Sequence, residues 1–189
     1  MGAGAATYLL ILGEREALAW VLREQRMAFS ARRARSASAL TLGDRLLLYT
    51  TRGCFHNPTR DRGRVIGEGE VTSPVEALPV PVRLAGRTFP LGCAIEVSGL
   101  VPLGTGVELS PLVRRLTVFP HQRSWSARLR RPLLQLPSSD VALIRKQLRP
   151  MLCAPQDVLD GYVKAVPGRR RDTRFETSRV QIRPSWPGW

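Results

Sequence analysis

Val65-Ile-Gly-Glu-Gly-Glu-Val71 alternates with a period of two. Val65, Gly67, Gly69 and Val71 fall on one pleat face and Glu68 and Glu70 on the other, so the segment reads as a strand with one face turned to a core. Glycines on that inner face leave room for another backbone, which suits a sheet bent into a small barrel. The G-x-G it contains is a poor dinucleotide fingerprint, because the strand continues through it and no helix starts there.

Upstream, Arg45-Leu-Leu-Leu-Tyr-Thr-Thr51 is apolar on both pleat faces and reads as a central strand, introduced by the turn Leu42-Gly-Asp44. Tyr8 to Leu12 reads as a short buried strand closed by Gly13. Between them, Leu18, Val21 and Leu22 share one face of a helix from Glu14 to Gln25, with Glu14 and Glu16 complementing its dipole. The stretch Arg26-Met-Ala-Phe-Ser-Ala-Arg-Arg-Ala-Arg35 reads as basic and irregular. Downstream, residues 52–63 form a polar loop, and Val80 to Leu84 and Ala94 to Val97 give short strands. Ser110 caps a short helix with Pro111 at its first position, and Thr117 to Phe119 reads as a small strand. Ser138 or Ser139 caps a final helix with Val141, Ile144 and Leu148 on one face. This order predicts an α+β domain over residues 1–150, a small closed or nearly closed β-barrel flanked by short helices. Residues 151–189 read as a basic C-terminal extension, partly extended or disordered, with a turn or two of helix over 157–164.

The 189 residues carry 29 basic and 15 acidic side chains, a net charge of +14, and only Lys146 and Lys164 of the basic set are not arginine. The excess is concentrated. Residues 26–64 hold nine arginines against Asp44 and Asp61, and residues 110–150 hold nine basic groups against Asp140. Two such blocks on one domain fit phosphate-rich partners, and an acidic protein is the alternative partner. Arg169, Arg170 and Arg171 extend the charge into the tail, where Trp186 and Trp189 either stack on bases or fold back on the barrel.

Cys54, Cys93 and Cys153 are isolated and odd in number, which argues against a disulfide framework and for a reducing, cytoplasmic setting. No C-x-x-C or H-E-x-x-H accompanies His56 and His121, so neither a metal site nor a cofactor is expected. No stretch approaches the roughly 18 apolar residues of a membrane span. Catalysis is a weak rival, since the only nucleophile near a base is Cys54, two residues before His56, in a polar loop with no orienting third group.

Three stretches together resemble the EVE domain, a member of the PUA-like superfamily related to the YTH readers. They are Leu42-Gly-Asp-Arg-Leu-Leu-Leu-Tyr49, Gly63-Arg-Val-Ile-Gly-Glu-Gly-Glu-Val-Thr-Ser-Pro74, and Leu109-Ser-Pro-Leu-Val-Arg-Arg-Leu-Thr-Val-Phe119. The last continues through Trp125, Leu129 and Arg130 into Leu136-Pro-Ser-Ser-Asp140. The resemblance spans about residues 7 to 148 and implies a non-catalytic, PUA-like pseudo-barrel that binds DNA or RNA through a pocket for a modified base. Counting back from Gly43-Asp44, the family's pocket segment falls on Met27-Ala28-Phe29, with Met27 where the family often carries Trp. Ser30, Tyr49, Thr50, Thr51 and Trp125 are the further pocket candidates. Arg26, Arg32, Arg33, Arg35, Arg114, Arg115, Arg128, Arg130 and Arg131 are the candidate phosphate contacts.

Overall fold

The computed structural model describes residues 4–57, 59 and 61–164. The chain runs β1 (Thr7–Leu12), α1 (Arg15–Glu24), β2 (Arg26–Phe29), a 3₁₀ turn at Ala31–Arg33 and the one-turn α2 (Ala34–Ala37) into β3 (Arg45–Thr50). It continues through β4 (Arg64–Val71), β5 (Glu76–Leu84), β6 (Arg87–Leu100) and β7 (Val107–Glu108) to 3₁₀ helices at Ser110–Arg115 and Gln122–Arg130. It closes with β8 (Leu133–Leu136), α3 (Ser138–Leu148), a 3₁₀ turn at Arg149–Met151 and α4 (Pro155–Lys164).

One eight-stranded mixed sheet follows the order β2-β6-β4-β3-β1-β8, with β5 added to β6 and β7 to β4. β1 and β3 are parallel, in register from Thr7 opposite Arg45 to Leu12 opposite Thr50. The other pairs are antiparallel. Register shifts at Leu48/Tyr49 and Glu68/Gly69 curl the sheet into a half-barrel, because a bulge bends its strand and adds twist. Leu46, Leu47 and Leu48 of β3 are wholly buried, as expected of a strand covered on both faces.

The inner-face glycines of β4 do what their pattern asks. A Cβ on Gly67 would stand 2.6 Å from the carbonyl oxygen of Gly99, and one on Gly69 would collide with that of Glu96, so glycine is what lets β6 close against β4. On the opposite face Glu68 meets Arg145 of α3 at 2.8 Å, a pair that is largely shielded from solvent.

Several local expectations give way to tertiary contacts. Arg26–Phe29 is a strand, antiparallel to β6 from Arg26 opposite Ala94 to Phe29 opposite Leu91. Gln25 makes this possible: it ends α1 in the left-handed region (φ 49°), and its side-chain carbonyl accepts from the Val97 amide at 2.7 Å. Thr117–Phe119 is a turn and not a strand, since the Asp140 carboxylate takes the amides of Thr117 (3.0 Å) and Val118 (2.8 Å) that a ladder would need. Leu133–Leu136, which carries no strand signal of its own, is a strand beside β1. The two short downstream strands are longer and form one hairpin, with β6 shared among β5, β2 and β4. Ser110 lies inside its 3₁₀ helix, and Pro137 rather than a serine stands at the N-cap of α3.

Part of the C-terminal extension packs on the sheet. Cys153 exchanges backbone bonds with Leu100, and buried Tyr162 of α4 donates its hydroxyl to the Val101 carbonyl at 2.9 Å. The tail residues 165–189, with Arg169, Arg170, Arg171, Trp186 and Trp189, lie outside the described residues. Among the described residues no helix is long and apolar enough to cross a membrane.

Gly69→Ala is expected to lower stability by about 1–3 kcal/mol in urea denaturation, the range for forced overpacking. Gly4→Ala, where a Cβ meets nothing within 4 Å, is expected to leave the midpoint unchanged. Equal midpoints for the two variants would contradict the close approach of β6.

Candidate nucleic-acid interface

Parallel β1 and β3 bring their carboxyl ends to one edge of the sheet, the edge at which a crossover fold leaves a crevice. A cavity of about 320 Å³ opens there, at the small end of the roughly 300–1,000 Å³ that take small molecules. Its floor is the end of β1, from Leu10 to Gly13. Ala17, Trp20 and Val21 of α1 and Met27, Ala28 and Phe29 of β2 form one side, and Phe89 of β6 and Leu129 of the 3₁₀ helix Gln122–Arg130 face them. Ser30 and Thr51 bring hydroxyls, and Arg33, Arg87, Arg130 and Arg131 stand around the mouth against Glu14. All four arginines are exposed.

Two buried carboxylates hold these walls. Asp44 is 2% exposed and accepts the amides of Ala6 (2.9 Å) and Thr41 (2.8 Å), fixing the start of β1 against the loop that follows α2. Asp140, 1% exposed, holds the turn at Thr117–Val118, and the Val118 carbonyl accepts from Arg128 at 2.8 Å. Arg128 thereby ties down the 3₁₀ helix that carries Leu129 and Trp125. The same helix is joined to the β2 side by Arg33, which donates to the Arg130 carbonyl at 3.4 Å.

The residues singled out in the sequence divide among three cavities. Met27, Ala28, Phe29, Ser30 and Thr51 line the first. Tyr49 and Trp125 line a second one of about 690 Å³, which Thr51 and Leu129 also border. Thr50 borders a third of about 250 Å³ among Arg15, Arg62 and Arg64. Met27 and Phe29, 1% and 2% exposed, are core residues whose surfaces form part of the cavity wall. Of the basic candidates, Arg33, Arg130 and Arg131 reach the first mouth, while Arg32 and Arg35 are exposed on the neighbouring turns. Arg26 is exposed on β2, Arg114 and Arg115 on the 3₁₀ helix Ser110–Arg115, and Arg128 is engaged with Val118. Trp20, Arg87 and Phe89 also line this cavity, and sequence reasoning misses them. Trp20 has a signal, three residues after Ala17 on the helix face; Arg87 and Phe89 reach the site through the β5–β6 hairpin, whose Ala85 amide donates to Glu16 at 3.1 Å.

Comparison with known proteins bears on the fold. The Pho92 YTH domain, solved in complex with m6A, aligns with a TM-score of 0.51 at 10% identity, over 77% of this chain and 87% of that one. The YTH domain-containing protein mmi1, solved with RNA, gives 0.47 at 10% identity over 75% and 82%, and Rpa0253 from Rhodopseudomonas palustris gives 0.48 at 15% over 78% and 95%. No protein-family model matches the chain, and no curated protein matches it in sequence. The chain therefore has an α+β half-barrel fold similar to that of the Pho92 YTH domain.

Burial holds the thiols of Cys54 and Cys93 and the hydroxyl of Tyr49 in their neutral forms near neutral pH. Burial pushes the Cys54 thiol up to about 12, with Glu14 and Asp61 adding to the rise and Arg15 opposing it, so it is not a nucleophile near neutral pH. Burial likewise raises Cys93 to about 11 and Tyr49 to about 12. Each of these groups ionises more readily in the unfolded chain. Their contribution is complete below the ordinary values of 9.0 and 10.0 and is lost as pH climbs toward 11 and 12. The urea midpoint is expected to fall across that window, and a midpoint flat through it would contradict the burial. At about pH 8, iodoacetamide is expected to label half-buried Cys153 well before Cys54 or Cys93.

Proposed function

We propose that this protein is a nucleic-acid-binding module of the EVE type, which takes a modified base turned out of its strand into the cavity between α1, β2 and the 3₁₀ helix Gln122–Arg130. The observation that carries the reading is the pairing of an aromatic-walled cavity with a ring of arginines at its mouth. An unstacked base needs flat apolar walls and a few polar atoms at its edge, while its phosphates need positive charge outside. Trp20, Phe29, Phe89 and Leu129 offer the first, Ser30 and Thr51 the second, and Arg33, Arg87, Arg130 and Arg131 the third. A small added group such as a methyl gains most where the wall is apolar, at about 0.8 kcal/mol for each buried carbon. The fold shared with a YTH domain solved with m6A makes N6-methyladenine the first base to try.

The test is fluorescence anisotropy with matched single strands, RNA and DNA, bearing adenine or N6-methyladenine at the centre. Affinity is expected to fall steeply between about 50 and 200 mM salt, and Arg131→Ala to lower the salt slope by about 0.7. The methylated strand is expected to bind several-fold more tightly. Ala17→Phe, which fills the cavity from the helix side, is expected to erase that preference and leave the salt dependence in place. A folded Ala17→Phe protein that keeps the preference contradicts the pocket. Affinity that is flat with salt, or displacement of the strand by polyglutamate at equal charge, favours an acidic protein partner.

A further inference from the structure

Thr51 and Leu129 separate the base cavity from the larger one, so the two lie a single side chain apart. The larger cavity, about 690 Å³, has a different chemistry. Its apolar lining includes Leu129 and half-buried Trp125, whose ring meets Phe119 edge-on at 5.5 Å and 74°. One neighbour in that geometry covers at most one face of the indole. The Tyr49 hydroxyl lies over Gly63, where a Cβ would collide with it, so glycine leaves room for that hydroxyl at the wall that both residues line.

The charges distinguish the two cavities further. Among the described residues the first mouth sets four arginines against Glu14, whereas the larger cavity sets Arg52 and Arg62 against Asp61 and Glu108. Glu108 is already bonded to Arg64 at 3.1 Å and lies 3.7 Å from Arg62. A balanced groove with two carboxylates gains little from a phosphate. It suits a neutral ring that stacks on the indole and presents N–H or O–H donors to carboxylate and hydroxyl oxygens.

The geometry points to a second subsite, in which the nucleoside next to the base held in the first cavity stacks on Trp125 and directs its donor groups to the Asp61 and Glu108 side. This rests on the base-reading function proposed above, because it is the strand crossing Leu129 that links the two sites. Reading would then extend over two adjacent nucleotides, with the arginine mouth holding the phosphates.

The test uses an eleven-nucleotide single strand with central N6-methyladenine, and two more in which the position 5′ or 3′ to it is abasic. Removing the base on one side is expected to weaken wild-type binding about five- to a hundredfold, the range for one stacked base, and removing the other to matter little. In Trp125→Ala that dependence is expected to disappear, so that intact and abasic strands bind alike. Ser126→Phe, which fills the groove and keeps the Trp125–Phe119 contact, gives the same pattern without the risk to folding. A flanking base whose removal costs as much in both variants as in wild type overturns the second subsite, as does no cost on either side. If the methyl preference persists in those cases, only the second subsite fails. Loss of that preference in the wild type, or no binding of the strand, overturns the base cavity as well.

Discussion

The buried carboxylate of Asp44 is the constraint on which the rest of the structure depends. One oxygen takes the Ala6 amide and the other the Thr41 amide, while the backbone of Asp44 accepts from Val71 at 2.8 Å. Four chain segments therefore meet at one residue: the start of β1, the loop from α2, the start of β3 and the end of β4. Bonds to a charged acceptor contribute about 1.5–3 kcal/mol each, and stripping them would leave desolvated charge in the core. Gly43, at φ 85°, makes the turn that delivers the carboxylate. Because this knot sets the first rungs of the parallel β1–β3 pair, it fixes where their carboxyl ends emerge, and the cavity proposed to take a base is the space beyond those ends.

Asp140 performs the equivalent task on the far wall. Its two oxygens order a turn, the turn offers a carbonyl to Arg128, and Arg128 anchors the helix that separates the two cavities. Neither aspartate lines any of the three cavities described. Under the proposed function both would serve recognition by rigidity, since a cavity of a few hundred cubic ångströms selects among bases only when its walls do not yield. Met27 and Phe29 join core and cavity wall in the same side chains, so deep truncation there would affect stability together with the proposed binding.

Periodicity reveals the elements whose burial is set locally. β3 and β4 are legible from continuous and alternating apolar residues, and α1 and α3 from the Leu18–Val21–Leu22 and Val141–Ile144–Leu148 faces. What fails depends on distant partners. β2 has only two inward side chains, and the arginines around it mask the alternation. The β propensity of Thr117-Val-Phe119 loses to the Asp140 carboxylate, more than twenty residues away in sequence. β8 is a four-residue strand between Pro132 and Pro137, and the prolines at 79, 81 and 90 conceal the length of the β5–β6 hairpin. For the cavity, the segment Met27 to Ser30, reached through the family resemblance by counting back from Gly43-Asp44, lies on its wall. The separation of Tyr49 and Trp125 into another cavity is not legible in this way, because it depends on how the 3₁₀ helix lies across the sheet.

The most direct measurement is a methyl NMR titration of the protein with the single strand carrying N6-methyladenine. A base entering the cavity places its ring against the Met27 and Leu129 methyl groups, and ring currents shift those signals while methyls of the α3 side, such as Val141 and Ile144, stay in place. That pattern is the predicted result. Binding that saturates with the Met27 and Leu129 methyl signals unmoved would contradict the account, and would leave the arginines as a surface for the strand's backbone alone.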